Sequence, residues 1–191
     1  MSRAVFLDRD GVINPLVYNI ETSEYESPHY PEDLSIYPNV IKALRKLKEH
    51  GYLLFVVSNQ PSYAKGKTSL ENIRSIENLL SEYLDEHGVS ANKYYYCYHH
   101  PNGIITEYSK PCKCRKPGTF FLEDAIERFK LNTQSCWFVG DRDTDITCGK
   151  TMGMRTIQIK NKHSVSKAGK KTPDEYASDI YKAALLIIER G

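Results

Sequence analysis

The most informative segment of the chain lies near the amino terminus and reads Phe6-Leu7-Asp8-Arg9-Asp10-Gly11-Val12-Ile13-Asn14. The apolar run at residues 4–7 that leads into it predicts a buried strand. Asp8 and Asp10 follow at the carboxyl end of this strand, where open α/β sheets bind their ligands. Gly11 supplies the backbone freedom for the turn that comes next.

Two carboxylates at the end of a strand suit phosphoryl transfer. One of them can attack phosphorus and bind magnesium, while the other moves the proton of the leaving oxygen. The alternative interpretation is an ordinary surface turn, because the pattern Asp-x-Asp-Gly also occurs in loops. The motif by itself leaves both interpretations open.

Length and composition limit the classes of protein to consider. A chain of 191 residues suits a single domain, residues 1–191, with one sizeable core. The net charge of +2 is too small to predict binding to nucleic acid. A local basic run is best explained as a solvated loop and comprises Lys160, Lys162, Lys167, Lys170 and Lys171. No apolar segment reaches the length of a membrane span and no signal peptide precedes the first strand, so we expect a cytoplasmic protein. A monomer is a separate expectation, which these observations do not test.

Polar residues recur where two further predicted strands end. The apolar run at residues 53–57 ends in Ser58-Asn59-Gln60, where a hydroxyl and backbone N–H groups can cradle a phosphate, although an ordinary turn explains it equally well. The run at residues 136–139 leads to Asp141, the best candidate for completing a magnesium site with Asp8 and the Asp10 carbonyl. Asp145 follows one helical turn later, where capping explains it at least as well as metal binding.

A long loop without a clear pattern follows the predicted strand at residues 94–97, and compact domains seldom hold such a loop unless something ties it down. Cys-x-His and Cys-x-Cys pairs bracket it and supply Cys97, His99, Cys112 and Cys114. Three thiolates and one imidazole form the ligand set of a closed, structural zinc site. His100 in place of His99, and cysteines that are unconnected, remain alternatives. Because Arg115 and Lys116 come next, a metal would also fix where they point.

The remaining signals predict the scaffold. Pro38 is expected in the first turn of a helix that ends before Gly51, and Thr68-x-x-Glu71 predicts a capping box for a second helix. Residues 172–175, Thr-Pro-Asp-Glu, predict the start of the last helix, after a fifth strand at residues 156–159. The segment from Asn14 to Ile36 shows no sustained period, and we interpret it as a rim over the site.

The ordered set Asp8-x-Asp10, Ser58, Lys116 and Gly140-Asp141-x-x-x-Asp145 resembles the haloacid dehalogenase (HAD) superfamily of phosphotransferases. With the Cys97/His99/Cys112/Cys114 quartet and Cys114-Arg115-Lys116-Pro117, the chain is similar to the branch of heptose bisphosphate phosphatases and histidinol phosphatases. The similarity extends from Ala4 to about Ile159. It implies an α/β fold with a three-layer, Rossmann-like parallel sheet, a minimal cap and a zinc-bound loop.

The resemblance also implies a role for each matching residue. Asp8 would be the nucleophile and a magnesium ligand, and Asp10 the general acid/base that also binds magnesium through its carbonyl. Ser58 and Lys116 would stabilise the phosphoryl group, and Asp141 would be the third protein ligand of magnesium. The residues expected to bind substrate are Asn59, Gln60, Arg115 and Arg142.

The substrate is less well defined, because the chain departs from the heptose enzymes after Gln60 and at Arg142, and because its rim segment is longer. A second phosphate needs fixed cations such as Arg115, whereas the ammonium of histidinol phosphate needs rim acids to reach the site. We expect a magnesium-dependent phosphatase that forms an aspartyl-phosphate and acts on a sugar bisphosphate, D-glycero-D-manno-heptose 1,7-bisphosphate, in lipopolysaccharide or nucleotide-sugar heptose biosynthesis. Histidinol phosphate, another small phosphosugar, and a zinc-stabilised nucleic-acid-binding module are the alternatives.

Overall fold

The computed structural model describes residues 2–164 and 171–191. Lys167 and Lys170 of the basic run lie outside the described residues, and Lys160, Lys162 and Lys171 are exposed. The strands within the described ranges are β1 (Arg3–Leu7), β2 (Val17–Asn19), β3 (Glu24–Glu26), β4 (Tyr52–Asn59), β5 (Lys93–Cys97), β6 (Trp137–Gly140), β7 (Arg155–Ile159) and β8 (Glu175–Ala177). The α-helices there are α1 (Val40–Glu49), α2 (Leu70–Glu86), α3 (Phe120–Phe129), α4 (Asp143–Thr151) and α5 (Ile180–Arg190).

Six of these strands form one sheet in the order β5-β4-β1-β6-β7-β8, and every neighbouring pair is parallel. Parallel strands end at a common edge, so the residues that follow them meet there. β1 lies between β4 and β6, with Leu7 opposite Val56 on one side and Val139 on the other. The end of the first strand therefore lies at the centre of the carboxyl edge.

Helices cover both faces of the sheet, because successive side chains of a strand point to opposite faces. Val5 and Leu7 of β1 pack in a cluster with the buried faces of α1, α2 and α5. Ala4 and Phe6 pack in a second cluster that contains Leu122 of α3. Cys136 and Cys148 are fully buried in this second cluster, as expected for small apolar side chains. The predicted three-layer α/β fold with a parallel sheet is confirmed.

The first two helices begin later than the sequence predicts. α1 starts at Val40, and Pro38 lies outside it because Asn39 intervenes in the left-handed conformation with φ 65°. α2 starts at Leu70, and its cap is the Ser69 hydroxyl, which accepts a hydrogen bond from Asn72 N at 3.0 Å. The predicted box at Thr68 and Glu71 is therefore wrong. The Thr68 hydroxyl instead donates to the carbonyl of His29 in the rim, at 2.5 Å.

The predicted start of the last helix at residues 172–175 is also wrong. Asp174 accepts hydrogen bonds from the backbone N–H and the hydroxyl of Thr156, both at 2.8 Å, and the residues after it form β8 beside β7. α5 begins only at Ile180, where Asp179 accepts a hydrogen bond from Lys182 N at 2.9 Å. Residues 172–175 therefore do not cap a helix, because hydrogen bonds to β7 fix this segment next to the sheet instead.

The rim segment has structure of its own. β2 and β3 pair as an antiparallel hairpin, hereafter the rim hairpin (residues 17–26). Glu26 at its end forms an ion pair with Lys67, and the Ser27 and Ser62 hydroxyls lie 3.2 Å apart. The hairpin is therefore anchored to the loop that follows β4. No helix of the described chain is both long and apolar enough to cross a membrane.

Candidate active site

Three carboxylates meet at the carboxyl edge of the sheet. Asp8 follows β1, Asp141 follows β6, and Asp145 lies in the first turn of α4. All three are buried, and each offers an oxygen atom within 4.8 Å of the others. We call this group the acidic cluster. Gly11 closes the same turn with φ 88°, and a Cβ there would overlap the Asp141 carboxylate, so only glycine fits.

Lys116 lies inside this group and is itself almost fully buried. Its ammonium nitrogen is 2.9 Å from Asp8 Oδ1 and 2.7 Å from Asp145 Oδ1, and it donates a hydrogen bond to the carbonyl of Val57 at 2.7 Å. Burial lowers the pKa of Lys116, but Asp145 and Asp8 outweigh this effect and raise the pKa above its ordinary value. Lys116 therefore stays charged and links the nucleophile candidate to Asp145.

Asn59 holds the backbone of Lys116. Its Oδ1 accepts a hydrogen bond from Lys116 N at 2.9 Å, and its Nδ2 donates to the Lys116 carbonyl at 3.1 Å. No sequence signal indicated this pairing across 57 positions. The side chain of Asn59 therefore orients a cation of the site, and its predicted contact with substrate stays a prediction.

Asp10 lies in a dense network of donors. Its carboxylate accepts hydrogen bonds from Arg9 Nε at 3.1 Å, Asn14 Nδ2 at 2.9 Å and Gln60 Nε2 at 2.6 Å. Gln60 also donates to the Ser58 hydroxyl at 2.9 Å and accepts from Arg9 Nη2 at 2.8 Å. Arg9 and Asn14 are completely buried. No sequence signal predicts a role for these two residues, although both lie in the stretch Phe6–Asn14.

The acidic cluster is electrostatically strained because like charges are buried together. Burial and the nearby charges of Asp8 and Asp145 raise the pKa of the Asp141 carboxyl to about 7. Burial also raises the pKa of Asp145 to about 6, although Lys116 opposes the shift. Asp141 Oδ1 has no hydrogen-bond partner among the described residues. Buried carboxylate oxygens of this kind fit a hard divalent cation such as magnesium, which would neutralise them.

The predicted zinc ligands also come together. Sulfur–sulfur distances within the set of Cys97, Cys112 and Cys114 are 3.2–3.5 Å, and His99 Nδ1 lies 3.9 Å from Cys97 Sγ and 3.6 Å from Cys114 Sγ. Ligands of a tetrahedral zinc ion bonded at about 2.3 Å stand roughly 3.8 Å apart, so the set fits this metal. His100 lies outside the group, and its Nδ1 accepts a hydrogen bond from Asn102 N.

Residues 97–114 carry the predicted zinc ligands and are hereafter called the zinc loop. This loop also positions the residue that follows it. Arg115 Nη1 donates a hydrogen bond to the carbonyl of His99 at 3.3 Å. Burial lowers the pKa of Arg115 below its ordinary value, and the nearby thiols oppose the shift. The loop therefore holds Arg115 by a hydrogen bond, and Lys116 is the next residue in the chain.

Comparison with known proteins gives the chain a family. The family model Hydrolase_like (HAD-hydrolase-like) matches residues 113–183. The D-glycero-alpha-D-manno-heptose-1,7-bisphosphate 7-phosphatase of Photorhabdus laumondii is 33% identical over 165 residues, which cover 86% of each chain. The corresponding beta-anomer phosphatase of Haemophilus ducreyi is 32% identical over 90% of this chain and 91% of its own. The chain belongs to the heptose bisphosphate phosphatase family of HAD-like hydrolases.

Solved structures agree on the fold of this HAD-like phosphatase. The D,D-heptose 1.7-bisphosphate phosphatase of B. bronchiseptica, complexed with magnesium and phosphate, superposes over 100% of both chains with a TM-score of 0.80 and 19% identity. A HAD-like phosphatase of Mesorhizobium loti reaches a TM-score of 0.77 at 24% identity, over 99% of this chain and 87% of its own. The predicted resemblance to this family is confirmed.

A cleft lies between the rim hairpin and the carboxyl edge of the sheet in this HAD-like phosphatase. Asp10, Asn59 and Arg142 line it on the side of the sheet. Glu24 and Glu26 line it on the side of the hairpin, together with Lys65 and Lys67 from the loop after β4. Arg115 is not among the described residues that line this cleft. The cleft beside Asp10 therefore combines acids of the rim hairpin with cations of the loop after β4 and Arg142.

Proposed function

We propose that this HAD-like phosphatase removes one phosphate from a sugar bisphosphate, a D-glycero-D-manno-heptose 1,7-bisphosphate, through an aspartyl-phosphate on Asp8. The observation that carries the proposal is the buried meeting of Asp8, Lys116, Asp141 and Asp145 beside Asp10. The names of the relatives, which are 7-phosphatases, support loss of the phosphate at position 7. The unit of function would be one domain, acting as a cytoplasmic monomer.

Asp8 is held for attack on phosphorus. Its Oδ1 accepts a hydrogen bond from Arg9 N at 2.7 Å and pairs with Lys116. Oδ2 would attack, forming the Asp8–phosphorus bond while the bond from phosphorus to the sugar oxygen breaks. Ser58 would donate a hydrogen bond to the transferring group. Each such electrostatic contact typically changes the rate by about a hundredfold or more.

Asp10 would move the protons of both steps. It gives its proton to the departing sugar oxygen, and it then takes a proton from the water that attacks the phosphorylated Asp8 and releases phosphate. Hydrogen bonds from Gln60 and Asn14 fix the direction of the Asp10 carboxylate. When Asp10 is ionised, the guanidinium of Arg9 compensates the negative charge. The network supports the predicted acid/base role, since proton transfer depends on a fixed geometry.

Two metals fit this chain in different roles. Asp8, the Asp10 carbonyl and Asp141 would hold magnesium, which when bound supplies positive charge to the phosphoryl oxygens. The carboxylate of Asp10 is outside the acidic cluster, in keeping with a contribution through its carbonyl. Zinc on Cys97, His99, Cys112 and Cys114 would be structural, because four protein ligands leave no place for a water molecule.

The cleft also bears on the alternative substrate. Glu24 and Glu26 reach the cleft, which is the condition under which the ammonium of histidinol phosphate would be accepted. Glu26 is compensated by Lys67, so it adds little net negative charge. Lys65 and Arg142 are cations on the opposite walls, which suits a second phosphate. We therefore place the sugar bisphosphate first and keep histidinol phosphate as the second candidate.

The decisive experiment compares kcat/KM on a heptose bisphosphate, a sugar monophosphate and histidinol phosphate, for the wild type and for Arg142→Ala, which removes a cation that lines the cleft. Loss of a charge-assisted bidentate contact should lower kcat/KM on the bisphosphate by roughly tenfold to a hundredfold, and on the other two much less. Arg128→Ala, which removes an exposed arginine from α3, is the matched control.

An equal loss on all three substrates would place Arg142 at the scissile phosphate. A wild-type preference for histidinol phosphate would replace the proposed substrate. Hydrolysis that EDTA abolishes separates the enzyme from the nucleic-acid-binding alternative, which predicts salt-dependent retention of an oligonucleotide without hydrolysis.

A further inference from the structure

The turn at residues 161–164 contacts both the acidic cluster and the rim hairpin. The Ser164 hydroxyl donates a hydrogen bond to Asp141 Oδ2. The neighbouring His163 stacks its ring on Tyr25 of β3, with ring centroids 3.5 Å apart. We propose that Ser164 is a positioning residue for the Asp141 carboxylate, and that the stack of His163 on Tyr25 holds it in place from the rim. The inference rests on the proposed role of Asp141 as a magnesium ligand.

The turn itself is firmly built. Lys160 N donates to the carbonyl of Ala177 in β8 at 2.9 Å, which fixes where the chain leaves β7. Asn161 Oδ1 accepts a hydrogen bond from His163 N, and the Asn161 carbonyl accepts one from Ser164 N, both at 3.0 Å. Ser164 is 1% exposed. Its hydroxyl therefore approaches Asp141 from a fixed direction in a site without bulk water.

The hydrogen bond decides which oxygen of Asp141 faces a cation. Ser164 occupies Oδ2, whereas Oδ1 has no hydrogen-bond partner among the described residues. Arg142 Nε lies 4.0 Å from Oδ1 and is also buried without a hydrogen-bond partner. If Ser164 were absent, the carboxylate would be free to turn towards this guanidinium. A close ion pair with Arg142 would then compete with the metal for Asp141.

The rim hairpin contributes through its far face. Side chains alternate along a strand, and Glu24 and Glu26 line the cleft while Tyr25, between them, packs on His163. Tyr25 also packs edge-on against Tyr18 of β2, with centroids 5.3 Å apart. A displacement of the hairpin would thus be transmitted to the residue next to Ser164. β3, which lines the cleft, is thus connected through His163 and Ser164 to Asp141, the proposed magnesium ligand.

The test measures the binding of Mn²⁺ alone to zinc-loaded protein without substrate. The EPR signal of free Mn²⁺ reports how much of the ion is bound. Charge-assisted hydrogen bonds are stronger than neutral ones, so we expect Ser164→Ala to raise the Kd for Mn²⁺ about tenfold or more. Ser164→Thr keeps the hydroxyl and should restore most of the affinity. Zinc content and thermal unfolding should not differ among the three proteins, which separates positioning from a general structural role.

The outcomes distinguish this inference from the proposed function. A wild type that binds no Mn²⁺ at the acidic cluster would remove the proposed magnesium site. Binding by the wild type with the same Kd for Ser164→Ala would leave that site standing and overturn only the role of Ser164.

The stack is tested by a double-mutant cycle. Tyr25→Leu removes the aromatic contact with His163. Contacts of this kind typically change an equilibrium constant a few-fold, so we expect the Kd for Mn²⁺ to rise about threefold. In the Ser164→Ala background the same change should have no further effect, because the two residues act through one contact. Tyr30→Leu, a half-exposed rim tyrosine, is the control. Additive losses in the double variant would overturn the coupling.

Discussion

The acidic cluster and the zinc loop are both able to hold a metal, but they are built differently. Residues of the acidic cluster follow β1 and β6 or open α4, and all three are buried. The zinc loop begins at the end of β5 and contains one short 3-10 turn, Thr106–Tyr108, as its regular structure. Three of its four ligands are only partly buried. The sheet thus places the acids, whereas the loop has no comparable scaffold.

Because their scaffolds differ, the two sites should depend on bound metal to different extents. The acidic cluster owes its geometry to strands in a packed core and should keep it without a metal. The zinc loop should be ordered mainly by its metal, since metal binding and local folding are coupled in such sites. Lys116 belongs to both regions, because it follows the zinc loop and lies between Asp8 and Asp145. In the candidate active site, the sheet therefore positions the carboxylates, and the end of the loop supplies one cation.

The largest expected effect is at the acidic cluster. Asp8→Asn removes the nucleophile and should lower kcat by on the order of a thousandfold or more. The fold should survive, because the sheet and not the carboxylate positions this residue. The measurements are phosphatase activity and thermal unfolding. Asp143→Asn, which changes an acid outside the cluster, should keep near-normal activity. Normal turnover by Asp8→Asn would refute the aspartyl-phosphate mechanism.

A smaller but broader effect is expected at the zinc loop. Cys112→Ser should remove stoichiometric zinc, lower the melting temperature, and lower kcat/KM on the order of tenfold as Arg115 and Lys116 lose their positions. Metal analysis, thermal unfolding and kinetics measure the three changes. Cys136→Ala, at a buried cysteine remote from the loop, should keep its zinc. Wild-type protein purified without chelators yet free of zinc would contradict this half of the comparison.

The smallest effect concerns Glu77 of α2, which lies between the two regions. Its carboxylate accepts hydrogen bonds from the Tyr98 hydroxyl at 3.0 and 2.7 Å, and Tyr98 belongs to the zinc loop. Burial raises the pKa of Glu77 from 4.5 to about 7, although Tyr98 and Arg9 oppose the shift. The folded state therefore binds more protons than the unfolded state between these values, and stability falls as the pH rises from 4.5 to 7.

Glu77→Gln should remove this part of the pH dependence. We expect the free energy of unfolding of the variant to decline less than that of the wild type across the same interval, by urea denaturation at several pH values. Glu71→Gln, at an exposed position of the same helix, should follow the wild-type curve. Parallel curves for Glu77→Gln and the wild type would show that Glu77 does not couple to folding.

Two helices begin elsewhere than their local capping signals predict for one physical reason, which is competition for a polar group by a distant partner. Thr68 and Ser69 are both able to cap α2, and the rim decides between them because the His29 carbonyl takes the Thr68 hydroxyl. Asp174 has the sequence of a helix cap but bonds to Thr156 in the neighbouring strand. Local preferences of this kind are weak, so one tertiary hydrogen bond overrides them.

Features that depend on short spacing and on periodicity are predictable from the amino-acid sequence alone. The apolar runs placed the central strands, and the positions of Asp8 and Asp141 after those runs placed them at one edge of a parallel sheet. The spacing of Cys97, His99, Cys112 and Cys114 likewise indicated one metal site before any contact was known. Each of these inferences needs only neighbours in the chain and the rule that parallel strands end together.

Tertiary structure alone decided the contacts that set the geometry within the site. Two of these contacts are the pairing of Asn59 with the Lys116 backbone and the hydrogen bond of Ser164 to Asp141. The rim hairpin likewise lines the cleft together with residues far from it in the chain. Such contacts depend on how strands and loops pack at the sheet edge, where directed hydrogen bonds form over a few ångströms. No periodic pattern encodes such contacts, because each of them is made only once, between particular residues.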